Sequence, residues 1–166
     1  RFIARRIVIA ASEDVGMGDP TALQTAVAAM HAVAQIGMPE ARIILAQAVV
    51  HNALAPKSNA AYVGINEAIA DVRAGKGGPV PIPLRGSGYA GAERVREASS
   101  KASGTGKAKP YIYAHDEPDG VATQQYLPDD LQKALGERSY YRPTDRGFEA
   151  RLQERWTWLR QRLGRG

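Results

Sequence analysis

A chain of 166 residues with 44% hydrophobic content is long enough to bury a core without a metal or a disulfide, since a domain of this size removes roughly 70% of its unfolded surface from water. Cysteine is absent, which excludes disulfides, thiolate catalysis and cysteine-ligated zinc, and is neutral to weakly favourable for a reducing cytosol. The net charge of +5 is concentrated, because residues 139–166 hold seven arginines against Asp145, Glu149 and Glu154; the pattern reads equally as a phosphate contact, as a surface for an acidic partner or as a solvated helix face.

The N-terminal residues place positive charge before an apolar run in the manner of a leader peptide. Only residues 7–11 run uninterrupted, however, and Glu13 and Asp14 follow, so a helix entering the fold is the better reading. Its apolar side is expected to hold Phe2, Ile3, Ile7 and Ala10. Gly16-Met17-Gly18 breaks the pattern, and Asp19-Pro20 restarts it with a capping carboxylate followed by a proline suited to the first helical position. Leu23, Val27, Met30 and Ala34, flanked by Ala26 and Val33, keep helical spacing up to Gly37. The alanines of this helix predict close packing on more than one side.

Pro39 opens a third helix that is apolar nearly all round, through Ile43, Ile44, Leu45, Val49, Val50 and Leu54, and is therefore expected at the centre of the core. Pro56 ends it. Ser58 or Asn59 then caps a helix to about residue 74, with Tyr62, Val63, Ile65, Ile69 and Val72 on its apolar face. Residues 75–88 are rich in glycine with alternating prolines, which favour extended polyproline backbone; Val80, Ile82 and Leu84 make this a packed strap in preference to a free linker. A helix is predicted over residues 90–101, an irregular Tyr/Asp/Pro-rich segment over 110–143 with a short helix from Pro128 to about Leu135, and a last amphipathic helix capped by Thr144 or Asp145. Phe148, Leu152, Trp156, Leu159 and Leu163 form the stripe of that last helix. The fold class is all-α, and no segment approaches the ~20 apolar residues of a membrane span.

Chemistry-bearing constellations are weak. Gly104-Thr105-Gly106-Lys107 lacks the upstream glycine of a phosphate loop, where Lys101 stands, and Ala108 replaces the hydroxyl residue that would hold magnesium. His115-Asp116-Glu117-Pro118-Asp119 reads as a turn in preference to a metal cluster. Gln47 and His51, four apart on the third helix, read as a buried hydrogen-bonded pair. The tyrosines at 111, 113, 126, 140 and 141 suit packing or a subunit interface more than base stacking. Trp158 lies about 200° around the last helix from Trp156, so the two cannot share a face. Trp158, Tyr140 and Tyr141 are the candidate interface residues, and Arg151, Arg155, Arg160 and Arg162 the candidate DNA contacts.

A set of short words in fixed order runs through the chain: Ile3-Ala4-Arg5-Arg6, Ala11-Ser12-Glu13-Asp14-Val15-Gly16, Gly37-Met38-Pro39-Glu40, Leu45-Ala46-Gln47-Ala48, Pro56-Lys57-Ser58-Asn59, Tyr113-Ala114-His115-Asp116, Tyr126-Leu127-Pro128 and Thr144-Asp145-Arg146-Gly147-Phe148-Glu149. Jointly they resemble the C-terminal region of the bacterial replication-associated recombination ATPases, AAA+ proteins related to the eukaryotic Werner-helicase-interacting protein. The resemblance implies a helical bundle similar to the C-terminal collar of clamp-loader subunits. It also implies that residues 1–166 form a single oligomerisation domain, a homotetramer-forming fragment of a longer ATPase whose preceding helical module ends in residues 1–15. ATP and magnesium would belong to the full-length protein, and no catalysis or cofactor is expected here. By the same resemblance the whole protein would act at stalled replication forks in the bacterial cytoplasm, nucleoid-associated, with DNA and single-stranded-DNA-binding protein as possible partners and no membrane. The alternative reading is a sequence-independent DNA-binding module that uses the arginine-rich C-terminal helix.

Overall fold

Every regular element in the computed structural model, which describes residues 1–85 and 111–164 together with Arg94 and Ala98, is helical. The helices are α1 (Phe2–Ala10), α2 (Thr21–Ile36), α3 (Ala41–Leu54), α4 (Ala60–Asp71), α5 (Asp129–Leu135) and α6 (Gly147–Arg162). The chain divides into two compact units. One is built from Arg1–Ala68 and Ser139–Thr157, the other from Ile69–Arg138 and Trp158–Gly166. The helix expected over residues 90–101 lies outside the described residues, apart from helical Arg94 and Ala98, as does the Gly104-Thr105-Gly106-Lys107 loop.

In the first unit α1 runs on through a π-helical turn (Ala11–Val15) and a 3-10 turn (Gly16–Gly18). Its buried line is Ala4, Ile7, Ala11 and Val15, at three- and four-residue steps. Opposite stand Ala22, Ala26 and Ala29 of α2 and, in the same core, Ala48 and Ala55. Small residues therefore set the contact, and α2 packs on both α1 and α3 as its alanine content predicts. The larger residues expected inward are displaced outward: Phe2 and Ile3 are exposed, Leu23 and Ala34 also, and Val27 and Met30 only half-buried. The physical reason is that Ala22, Ala26 and Ala29 are the residues of α2 that face the core, where Ile7 and Val15 already fill the space, so the larger side chains of α2 stand to the side.

Caps follow the sequence. Asp19 Oδ1 accepts the Thr21 N–H at 2.9 Å, and Gly37, at φ 73°, ends α2. The Met38–Pro39 peptide is cis, and α3 starts at Ala41. Asn52 Nδ2 donates to the Ile7 carbonyl at 2.9 Å and ties α3 to α1. Contrary to expectation, α3 is not enclosed. Only Ala41 and Ala48 are buried, and Ile43, Val50 and Leu54 are 64%, 54% and 81% exposed. Its inner side is occupied by α2 and α1, and no described element covers the other.

In the second unit α5 starts after Pro128, carries Asp129 and Asp130 in its first turn where the helix dipole favours them, and buries Leu131 and Leu135. It packs on the turn Val72–Lys76. Ile82–Leu84 forms a 3-10 turn whose residues are half-buried, whereas Val80 is exposed. The Gln124 side chain accepts the Ile112 N–H at 3.1 Å and donates to the Ile112 carbonyl at 3.0 Å, replacing the neighbour that this extended segment lacks.

Candidate functional site

The most constrained polar group in the first unit is Glu149, in the first turn of α6 and fully buried. Ser58 Oγ donates to its Oε2 at 2.7 Å, Thr144 N–H and Oγ1 to the same oxygen at 2.8 and 2.7 Å, and the Tyr141 hydroxyl to Oε1 at 2.8 Å. Burial pushes the carboxyl upward, but these donors outweigh it and hold Glu149 below the usual carboxylate range. Burial also raises Tyr141, reinforced by the neighbouring carboxylate. Thr144 Oγ1 in turn accepts the Arg146 N–H at 3.3 Å, so threonine and glutamate together brace the turn that leads into α6.

The loop that supplies Ser58 is locked from both sides. Ser58 N–H donates to the Asp14 carbonyl at 2.9 Å, and Ser58 Oγ accepts the Ala60 N–H at 3.3 Å to start α4. Gly147 has φ 52°, and a Cβ there would overlap the Gly18 carbonyl oxygen and the Pro56 ring. Only glycine permits that approach. Lys57 Nζ donates to the carbonyls of Asn52, Ala53 and Ala55 at 2.7, 3.2 and 2.5 Å, a cation on the C-terminal end of α3.

Beside this clasp is an open cleft of about 410 Å³ lined by Asp14, Lys57, Ser58, Asn59 and Arg146. The Lys57 donors are engaged on α3, and the Ser58 hydroxyl faces a carboxylate too weakly basic to activate it as a nucleophile.

His51 does not pair with Gln47, which is exposed. Its Nε2 lies 2.8 Å from Asp19 Oδ2, and Thr21 Oγ1 donates to Asp19 Oδ1 at 2.6 Å. The threonine hydroxyl and the histidine hold the Asp19 carboxyl below its ordinary value. Both groups approach the carboxylate and not opposite sides of the imidazole, so the three residues form a helix cap and not a relay for nucleophilic attack. In the second unit His115-Asp116 and Pro118-Asp119-Gly120 form two consecutive 3-10 turns, with the Tyr113 and His115 rings 5.1 Å apart. Among the described residues no group of three or more His, Asp or Glu side chains is placed to hold a metal.

The sequence-selected residues fall in different settings. Tyr141 turns inward, its hydroxyl on Glu149 and its ring edge-on to Trp156 at 5.6 Å. Tyr140 is half-buried, with its carbonyl against Gly64. Trp158 is half-buried in α6. Arg151 and Arg155 are exposed on α6. Arg160 donates to the Glu137 carbonyl at 2.8 Å, and the Arg162 guanidinium stands 4.0 Å from the Glu117 carboxylate. Arg160 also lies on the far side of the helix from Arg151, so the four do not form one basic face.

Sequence reasoning missed the clasp and the bare side of α3. The clasp has a signal only in combination: Thr144 and Glu149 flank a helix start, but Ser58 is 91 positions away. For α3, the stretch from Ile43 to Leu54 carries no Asp, Glu, Lys or Arg, a signal that does not tell an enclosed helix from one with a bare apolar side.

No helix among the described residues is long and apolar enough to cross a membrane. Residues 1–160 match the family of MgsA AAA+ ATPase C-terminal regions. An uncharacterised AAA-domain protein of Mycobacterium tuberculosis is 50% identical over 160 residues, covering 96% of this chain and 32% of its own length. The replication-associated recombination protein A of Bacillus subtilis is 40% identical over 96% of this chain and 35% of its own length, and that of Escherichia coli is 38% identical over 95% and 32%. The chain thus spans about a third of the length of these relatives.

Proposed function

This chain belongs to the MgsA AAA+ ATPase C-terminal family, whose relatives include replication-associated recombination proteins, and from that premise we propose that it is an assembly module joining copies of a AAA+ ATPase into a homotetramer. The observation that carries this reading is the apolar surface left on its helices, with Phe2, Ile3, Ile43, Val50, Leu54 and Ile65 all more than half exposed. Burying one such side chain is worth roughly 1.5–3 kcal/mol, so a surface of this kind is a strong drive to association. Closed symmetry is the usual outcome for identical subunits, and the count of four follows the family resemblance. In this proposal ATP hydrolysis, with its magnesium, lies in the part of the full-length protein that the chain does not span; the sequence here has no phosphate loop to fit the nucleotide.

Exposed Arg151 and Arg155 favour a second, subordinate role, a sequence-independent contact with DNA phosphates, with single-stranded-DNA-binding protein as a further partner of the whole protein. The test of the main reading is light scattering on the purified chain over a concentration series. A tetramer mass is the expected result, and a monomer persisting at high micromolar concentration overturns it.

A further inference from the structure

Ile43, Gln47, Val50 and Leu54 follow one another on α3 at steps of four, three and four, which places all four within roughly 60° of arc. All four are exposed, with Ala46 and Ala53 exposed alongside them. This is the spacing of a coiled-coil seam, with one polar residue at a core position. The seam has an internal symmetry. Reversing it end for end sets Ile43 opposite Leu54 and Gln47 opposite Val50, both pairs centred between residues 48 and 49.

Resting on the assembly reading above, we propose that the outer face of α3 is an isologous interface, in which α3 of one copy packs antiparallel on α3 of a second copy about a two-fold axis near Ala48–Val49. Ile43 of each copy then meets Leu54 of the other. The two Gln47 side chains flank the axis, about 4.5 Å apart along the helix direction, near enough for their amides to bond to each other and so fix the register. Ala46 and Ala53 at the side allow the backbones to approach. A parallel pairing would instead set Arg42 beside Arg42 and align the two helix dipoles, both unfavourable. At roughly 60–120 Å² per large aliphatic side chain, Ile43, Val50 and Leu54 supply about 180–360 Å², less than half of the roughly 800 Å² that each partner gives to a standard interface. The seam is therefore one contact of a larger closed assembly, as a tetramer with two distinct two-fold interfaces requires.

The absence of native cysteine makes the arrangement directly testable. Under mild oxidation the double variant Ile43→Cys/Leu54→Cys should run as a covalent dimer on a non-reducing gel, and neither single variant should. Val50→Glu should weaken association by about a hundredfold, since it buries an unpaired charge on each copy, with helix content by circular dichroism unchanged. Self-linking of either single variant would show a parallel contact and overturn the proposal. An oligomeric double variant that does not cross-link, or a Val50→Glu chain that associates as the wild type does, would overturn the seam and leave the assembly reading standing. A wild-type chain that is monomeric by light scattering would overturn both.

Discussion

Replacing Glu149 by alanine strands four donors at once: the Ser58 hydroxyl, the Thr144 N–H and hydroxyl, and the Tyr141 hydroxyl. A buried donor left without an acceptor costs roughly 1–3 kcal/mol, and Tyr141, half-buried, recovers part of its loss by turning to water; the expected destabilisation is about 3–5 kcal/mol. Glu149→Gln is milder. The amide oxygen can keep Ser58 and Thr144 while the NH₂ donates to the Tyr141 oxygen, so only the charge-assisted share is lost, about 1–2 kcal/mol. The two variants also differ from wild type in acid. Because the folded Glu149 carboxyl lies below its unfolded value, its stabilisation is complete above the ordinary glutamate range and is lost as pH falls through the folded pKa. Urea unfolding followed by circular dichroism, at fixed protein concentration from neutral pH to about pH 3, measures both effects. The gap between wild type and Glu149→Gln should narrow below about pH 4.3. A Glu149→Ala chain within about 1 kcal/mol of wild type, or a gap constant across the whole range, would refute the claim that this carboxylate is ionised and closes the first unit.

Gly147→Ala should lower stability by about 2 kcal/mol or more, because the positive φ and the overlap with Gly18 and Pro56 act together; a thermal melt indistinguishable from wild type would contradict the packing described. Asp19→Ala removes the α2 cap and the His51 contact and should cost about 1 kcal/mol, with the deficit shrinking in acid below about pH 3.9, since the Asp19 carboxyl is held below its ordinary value. Trp158→Ala should weaken assembly by about 2 kcal/mol if that ring anchors an interface; light scattering showing an unchanged tetramer would remove Trp158 from the contact. Any DNA binding by the chain should fall with salt and fall further, equally for all sequences, in Arg151→Gln/Arg155→Gln, and a fluorescence titration insensitive to salt would exclude the phosphate account.

Helix boundaries were legible because they are written in local chemistry. Asp19 before α2, Gly37 after it, Ser58 before α4 and Pro128 before α5 each act within a turn of the residue that needs them. Which face is buried was not legible. Hydrophobicity gives weight to Phe2, Leu23 and Ile43, whereas geometry selects Ala4, Ala26 and Ala48, since the shortest interhelical distance goes to the smallest side chain. An alanine line and an aliphatic line on the same helix both satisfy the periodicity, and only the neighbouring helices decide between them. The partners of His51 and Glu149 stayed hidden for a related reason. Asp19 and Ser58 are 32 and 91 positions distant, and no local rule links them.

The placement of a charged residue at the closure of the first unit has an energetic rationale. That unit is discontinuous in sequence, so residues 139–157 must be held against residues 1–68 across a long excursion. For a flexible chain, closing a loop of the 91 positions between Ser58 and Glu149 costs about 4 kcal/mol in entropy, and structure within the excursion reduces that figure. Hydrogen bonds to an ionised acceptor contribute roughly 1.5–3 kcal/mol each, and Glu149 accepts four. An apolar residue at position 149 would leave those donors in the same buried place with nothing to receive them. The carboxylate is therefore suited to hold the returning segment, residues 139–157, against residues 1–68.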